Sequence, residues 1–296
     1  MLTRGIYAAS VTALDTEGRR DPSGQARLLA HFAASGLQGV VLGGTNGEGP
    51  SLSAVDKRDL VRESIAGAAG LRLIAGLASN SLSEAIWLSQ QAAKSGAAAC
   101  LSTAPGYFRE ASLIGVRDWF LRLMDASPLP VLVYNFPKRV GIELDASFLA
   151  GLADHPKFAG AKDSSGQAEN LASYREAVGR DPLLFVGDET LLEAAFDAGW
   201  SGSISGAANS VAPWLASAWA GFESGDPAAR VRFALLREVI QGLRGLPNPG
   251  VHKAVLHGLG VLPSPTLALP LMPPTDEQVG TAWTALGRIG IRPVTG

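Results

Sequence analysis

Gly39-Val-Val-Leu42, the turn Gly43-Gly-Thr-Asn-Gly-Glu-Gly49, the mixed run Ala54–Ala66 and then Leu71-Arg-Leu-Ile-Ala75 read as one structural unit. Four apolar residues without alternation indicate a strand covered on both faces. Ala54–Ala66 carries apolar residues at helical spacing. Ser53 stands before it as an N-cap, and Gly70 closes the segment behind it. A strand, a helix and a second covered strand form a crossover unit, in which the two strands run parallel.

The same alphabet recurs along the chain. Ile6–Leu14, Ala98–Leu101, Val131–Tyr134, Phe158–Lys162, Leu183–Val186 and Ser203–Ser205 read as further strands. Gln25–Ala34, Leu82–Ala93, Leu113–Asp125 and Thr190–Ala198 read as helices between them, with Asp21-Pro22 and Ser81 or Ser83 as start signals and Gly36, Gly96 and Gly199 as stops. An open doubly wound sheet would use the same pattern, but eight strands favour a closed (β/α)8 barrel, the TIM barrel. After Val211 the pattern is purely helical, over Ala228–Leu243, Gly250–Leu259 and Thr275–Ile289, punctuated by prolines from Pro247 to Pro274. The expected organisation is an α/β barrel over residues 1–222 and a helical extension over 223–296 packed against it.

Bulk composition narrows the function. The 296 residues are 47% hydrophobic and 18% charged, with a net charge of −2. That is a globular balance, without the basic footprint of a nucleic-acid or anionic-membrane binder. Cys100 is the single cysteine, so an internal disulfide is excluded. His31, His155, His252 and His257 lack zinc-type spacing, and no metal site is expected. The first residues lack the apolar core of a signal peptide, and no run of about 20 apolar residues could span a bilayer. A cytoplasmic protein is expected.

In such a barrel, chemistry gathers where the strands end. Lys162 alone among six lysines ends an apolar strand, in Phe158-Ala-Gly-Ala-Lys-Asp-Ser-Ser-Gly166. Burial strips hydration from an ammonium and favours the free amine, a nucleophile toward ketones. The other reading is a structural lysine paired with Asp163 or Glu189. Tyr134 ends Val131-Leu-Val-Tyr134 and is either a proton carrier or a rim tyrosine. The turn Gly43–Gly49 offers backbone N–H groups with Thr45 and Asn46, as a carboxylate cradle or as a tight turn. Arg139 supplies a planar fork for a carboxylate or is a solvated loop residue, and Tyr107 is a second phenol or a packed loop residue.

Taken in order, Gly44-Thr-Asn-Gly-Glu48, Asn80 with Glu84, Pro105 with Tyr107, Tyr134-Asn-Phe-Pro137 with Arg139 and Gly141, Gly160-Ala-Lys-Asp-Ser-Ser-Gly166, Gly187-Asp188 and Gly202-Ser-Ile-Ser205 resemble the dihydrodipicolinate synthase / N-acetylneuraminate lyase family of pyruvate-dependent class I aldolases. The resemblance runs from about Gly5 to Pro270. It implies that Lys162 forms a Schiff base with pyruvate and that no other cofactor is needed. It implies a proton relay of Tyr134, Thr45 and Tyr107, with Tyr107 reaching a neighbouring subunit of a homodimer or homotetramer. Thr45 and Asn46 would hold the pyruvate carboxylate, Gly187 and the Ile204 carbonyl would line the pocket, and Arg139 would bind the carboxylate of an aldehyde. Asn46 stands where the synthase branch commonly has threonine, and Gly106 where many synthases have an aromatic residue.

Two reactions follow from the resemblance. The first is 4-hydroxy-tetrahydrodipicolinate synthase-like condensation of pyruvate with aspartate semialdehyde, which Arg139 favours. The second is retro-aldol cleavage of a 2-keto-3-deoxy sugar acid or of N-acetylneuraminate, which Ser164 and Ser165 leave open. A non-catalytic 2-keto-acid-binding barrel is the third reading, and the joint presence of Lys162, Tyr107 and Tyr134 argues against it.

Overall fold

The computed structural model describes residues 1–294. Eight parallel strands close in sequence order into a barrel: β1 Gly5–Ala9, β2 Gly39–Leu42, β3 Arg72–Gly76, β4 Ala99–Thr103, β5 Val131–Asn135, β6 Phe158–Asp163, β7 Leu183–Val186 and β8 Gly202–Ser205, with β8 returning to pair with β1. The helices α1 Pro22–Ala34, α2 Ala54–Ser64, α3 Leu82–Ser95 and α4 Leu113–Ala126 follow the first four strands. The short α5 Pro137–Val140 and α6 Ala146–Ala153 follow β5. Then α7 Glu169–Val178, α8 Leu192–Asp197 and α9 Ala208–Ser224 follow β6, β7 and β8. The extension adds α10 Pro227–Arg244, α11 Gly250–Gly258 and α12 Asp276–Gly287.

The start signals work as their chemistry requires. Asp21, Ser53 and Ser81 accept hydrogen bonds from the backbone N–H groups of Ser23, Asp56 and Glu84, which their helices cannot otherwise satisfy. Gly96 ends α3 in the left-handed region at φ +92°.

The first strand is shorter than its apolar run. Pairing stops at Ala9, because the backbone of the next residues is claimed elsewhere: Val11 N–H donates to Asn209 Oδ1, Ala13 N–H to Gln25 Oε1, and Leu14 bridges to Arg20. The expected helix Thr190–Ala198 is a 3-10 turn at Glu189–Leu191 followed by α8. Helices α6, α7 and α9 stand where the sequence reading places no separate helix. The last turn of α9 crosses the expected 222/223 division.

Burial falls into two layers. Tyr7, Val41, Ile74, Leu101, Leu132, Phe185 and Ile204 fill the barrel interior. A larger apolar layer lies between the sheet and the surrounding helices. The alternation of side chains along a strand decides which layer each residue joins. At the end of β6 it turns Lys162 inward, level with Tyr134 of β5, and Asp163 outward toward α7.

Candidate active site

Lys162 is 5% exposed, and its Nζ lies 4.3 Å from the centre of the Tyr134 ring. Its two suspected carboxylate partners are engaged elsewhere. Asp163 accepts from Asn135 Nδ2 at 2.9 Å, Ser165 N at 3.0 Å, Ser165 Oγ at 2.8 Å and Asn170 Nδ2 at 3.2 Å. Glu189 accepts from Ser205 Oγ at 2.6 Å and Ala207 N at 3.0 Å. Among the described residues no carboxylate comes within ion-pair distance of Lys162. The structural-lysine reading therefore loses its partner, and an uncommitted amine faces a cavity.

That cavity holds about 240 Å³ and is lined by Lys162, Tyr134, Thr45, Asn46, Arg139, Ser164, Gly187 and Glu189, among others. The absence of a side chain at Gly187 is a packing requirement. A Cβ there would sit 2.8 Å from Lys162 Cε and 1.9 Å from Ser164 Oγ. Asn46 closes on the opposite wall, its Nδ2 2.7 Å from where a Gly206 Cβ would lie. The side chain of Ile204 packs into the barrel interior below the cavity. Just past the end of β8, Gly206 and Ala207 line the cavity wall.

The Gly-rich turn is held by a feature the sequence did not announce. Glu48 sits in the left-handed region at φ 56°, unusual for a residue with a Cβ. It is kept there by the extension: its Oε1 lies 2.5 Å from Lys253 Nζ, and its Oε2 accepts from Ala268 N at 2.6 Å. Gly49 then packs so tightly that a Cβ would meet Gly43 O at 1.8 Å. The turn presenting Thr45 and Asn46 is thus clamped at both ends.

Tyr107 is brought near this site but not into it. It lines a larger neighbouring cavity of about 520 Å³ that shares Thr45, Tyr134, Phe136 and Arg139 with the first. Its side chain is 77% exposed, beside Phe108, while its N–H donates to Asn80 Oδ1 at 3.1 Å. The phenol of Tyr134 is held by Ser164 Oγ at 3.3 Å. Among the described residues Thr45 makes no hydrogen bond to either tyrosine, so the expected three-member relay is not assembled within one chain.

The extension contributes residues that sequence reasoning passed over. Ile240, Leu243, Arg244, Asn248 and His252 line the Lys162 cavity. Arg244 Nη2 reaches Asp188 Oδ2 at 2.6 Å, and the other oxygen of Asp188 accepts from Thr190 N and Oγ1. This fixes the turn that carries Gly187. Ile240, Leu243 and Arg244 share one face of α10 by their spacing of three and four, the one signal available in the sequence. His252 bonds through Nδ1 to Ser210 Oγ at 2.8 Å, and burial pushes its pKa down to about 4.

An unpaired lysine on β6, level with a tyrosine on β5, can be matched to known proteins. Residues 2–286 match the model of the dihydrodipicolinate synthetase family. The chain belongs to that family. It is 32% identical over 262 residues to 4-hydroxy-tetrahydrodipicolinate synthase of Listeria innocua, covering 88% of each chain. The counterpart from Gluconobacter oxydans is 31% identical over 93% of this chain and 92% of its own. Among solved structures, dihydrodipicolinate synthase from Bacillus anthracis matches with a TM-score of 0.91 at 27% identity over 99% of both chains. The enzyme from Acinetobacter baumannii, solved with pyruvate, matches with a TM-score of 0.92 at 27% identity over 98% of this chain and 100% of that one.

Proposed function

We propose that this family member is a class I lyase that forms a Schiff base between Lys162 and pyruvate and joins it to aspartate semialdehyde, in the manner of 4-hydroxy-tetrahydrodipicolinate synthase. The observation that carries the reading is the uncommitted Lys162 amine, buried beside Tyr134 at the strand ends. Thr45 and Asn46 hold the pyruvate carboxylate from the clamped turn. Lys162 Nζ attacks the keto carbon, and the resulting iminium withdraws electrons from the methyl group. Loss of a methyl proton gives an enamine, whose carbon attacks the aldehyde. The iminium is the electron sink, so this reading calls for no metal or organic cofactor. Tyr134 moves protons, and Arg139 takes the carboxylate of the aldehyde.

Tyr107, Pro270 and Leu271 line the outer cavity, and next to them in the chain the apolar Phe108, Leu269 and Met272 are exposed. We assign this apolar edge to a second copy of the chain, which would bury Tyr107. Sedimentation of the purified protein tests this, and a monomer would remove Tyr107 from the relay.

A second reading, cleavage of a 2-keto-3-deoxy sugar acid, is favoured by Ser164 and Glu189 in the Lys162 cavity, which suit substrate hydroxyls. Borohydride reduction with pyruvate, followed by peptide mass mapping, tests the common chemistry. An adduct on the Lys162 peptide supports it, and bound pyruvate without an adduct overturns it. Condensation with aspartate semialdehyde against retro-aldol cleavage of sugar acids then separates the two reactions.

A further inference from the structure

Ser164 follows Lys162 by two residues, so the end of β6 delivers both to one cavity. Its hydroxyl lies 3.3 Å from Tyr134 Oη, and the space a Gly187 Cβ would need is filled jointly by Ser164 Oγ and Lys162 Cε. The hydroxyl thus stands against Gly187 on the same side as the Lys162 stem and within hydrogen-bond distance of the phenol. Thr45 lines the same cavity without a hydrogen bond to Tyr134 among the described residues. We propose that Ser164 is a further residue that orients Tyr134 and resupplies its proton during imine formation, a role that rests on the Schiff-base reading above.

The proton count defines the role. The Lys162 lone pair forms the N–C bond while the carbonyl π pair moves to oxygen. That oxygen departs as water with two protons, one shed by Nζ and one drawn from solvent, and a protonated iminium remains. Tyr134 hands its phenol proton to the developing alkoxide. Ser164 Oγ donates to the phenolate and is refilled from Nζ or from water in the cavity. A hydroxyl serves here because it donates and accepts at once, whereas a methyl group in its place leaves the phenol unoriented.

Ser164 also suits a hydroxyl of a sugar-acid substrate, and the two roles part experimentally. Single-turnover imine formation is measured with pyruvate alone, by timed borohydride quench, in wild type, Ser164→Ala, Ser164→Thr and Thr45→Ala. The relay role predicts that Ser164→Ala slows imine formation about tenfold to a hundredfold, a part of the usual general acid–base contribution. It predicts an unchanged Kd for pyruvate, recovery in Ser164→Thr, and a kcat loss of the same factor for every aldehyde. Imine formation at the wild-type rate in Ser164→Ala, with loss confined to hydroxylated acceptors, overturns it. So does an equal loss in Ser164→Thr, or a loss confined to pyruvate affinity. If wild type traps no pyruvate, the Schiff-base reading itself fails, which is a different outcome from a wild-type adduct formed equally fast without Ser164.

Discussion

Lys162 and Lys253 are both nearly sealed from solvent, and the fold treats them in opposite ways. Lys253 is fully buried on α11, 2.5 Å from Glu48 Oε1, and it donates to Thr266 O at 2.6 Å. Burial pulls its pKa down and Glu48 pulls it back, a structural ammonium held by its counter-charge. Lys162 has an aromatic face and a cavity beside it where Lys253 has a carboxylate. Burial is common to both lysines; what separates them is the counter-charge that Lys253 has and Lys162 lacks among the described residues. The largest break in this comparison is Lys162→Ala, which should abolish both turnover and the borohydride adduct with little change in Tm, since no ion pair is lost. Normal turnover in that variant would sink the mechanism. Lys162→Arg should be equally inactive, because a guanidinium stays charged.

The reverse change probes Lys253. Glu48→Gln leaves a buried ammonium without its counter-charge and should cost about 3–5 kcal/mol of stability in urea unfolding. It should also loosen the turn carrying Thr45 and Asn46, so the KM for pyruvate should rise. Replacing both partners, as Glu48→Gln with Lys253→Met, should recover most of the lost stability. If the single variant unfolds like wild type, the ion pair with Lys253 is not what holds position 48 in its left-handed conformation.

His252, next in the chain to Lys253, carries the acid response of this region. Its pKa in the folded protein is about 4, below the usual value near 6.5, because burial disfavours the imidazolium. The unfolded chain therefore binds the extra proton first as pH falls. Its contribution is fully present above about pH 6.5 and is lost progressively toward pH 4, up to roughly 3 kcal/mol. Melting curves across that window should show His252→Gln to be less acid-sensitive than wild type. Parallel pH dependences would assign the acid loss to other groups.

Much of this was legible in the sequence where local chemistry decides structure. The strand cores, the caps at Asp21, Ser53 and Ser81, and the isolation of Lys162 at a strand end all follow from residues within one turn or strand of each other. What was hidden depends on chain distance. Glu48 reads as part of a Gly-rich turn, and only Lys253, 205 positions later, explains its backbone. The cavity wall from α10 and α11 looks like ordinary amphipathic helix until the extension is folded over the barrel. The apolar run after Ala9 has strand composition, yet Asn209 and Gln25 capture its backbone. The resemblance points to Thr45 as the neighbour of Tyr134, whereas the hydroxyl within hydrogen-bond distance of its phenol in this chain is that of Ser164.

Arginines at the cavity repeat the lysine contrast on a smaller scale. Arg244 is committed: Asp188 holds it at 2.6 Å, and Thr190 fixes Asp188 in turn. Arg139, on the short α5, faces the same cavity, and among the described residues no carboxylate comes within ion-pair distance of it. A free planar fork beside the amine is what an acceptor carrying a carboxylate requires. Arg139→Ala should therefore raise the KM for aspartate semialdehyde about tenfold to a hundredfold, equivalent to roughly 1.5–3 kcal/mol for a charged hydrogen bond. The KM for pyruvate should hardly move, because the proposed binding mode gives that carboxylate to Thr45 and Asn46. Arg244→Ala should do the opposite, acting on both substrates together by releasing the Gly187 turn. Equal losses for pyruvate and the aldehyde in Arg139→Ala would make Arg139 a second support of the cavity wall, and would leave Arg244, once freed from Asp188, as the nearest guanidinium able to read the acceptor.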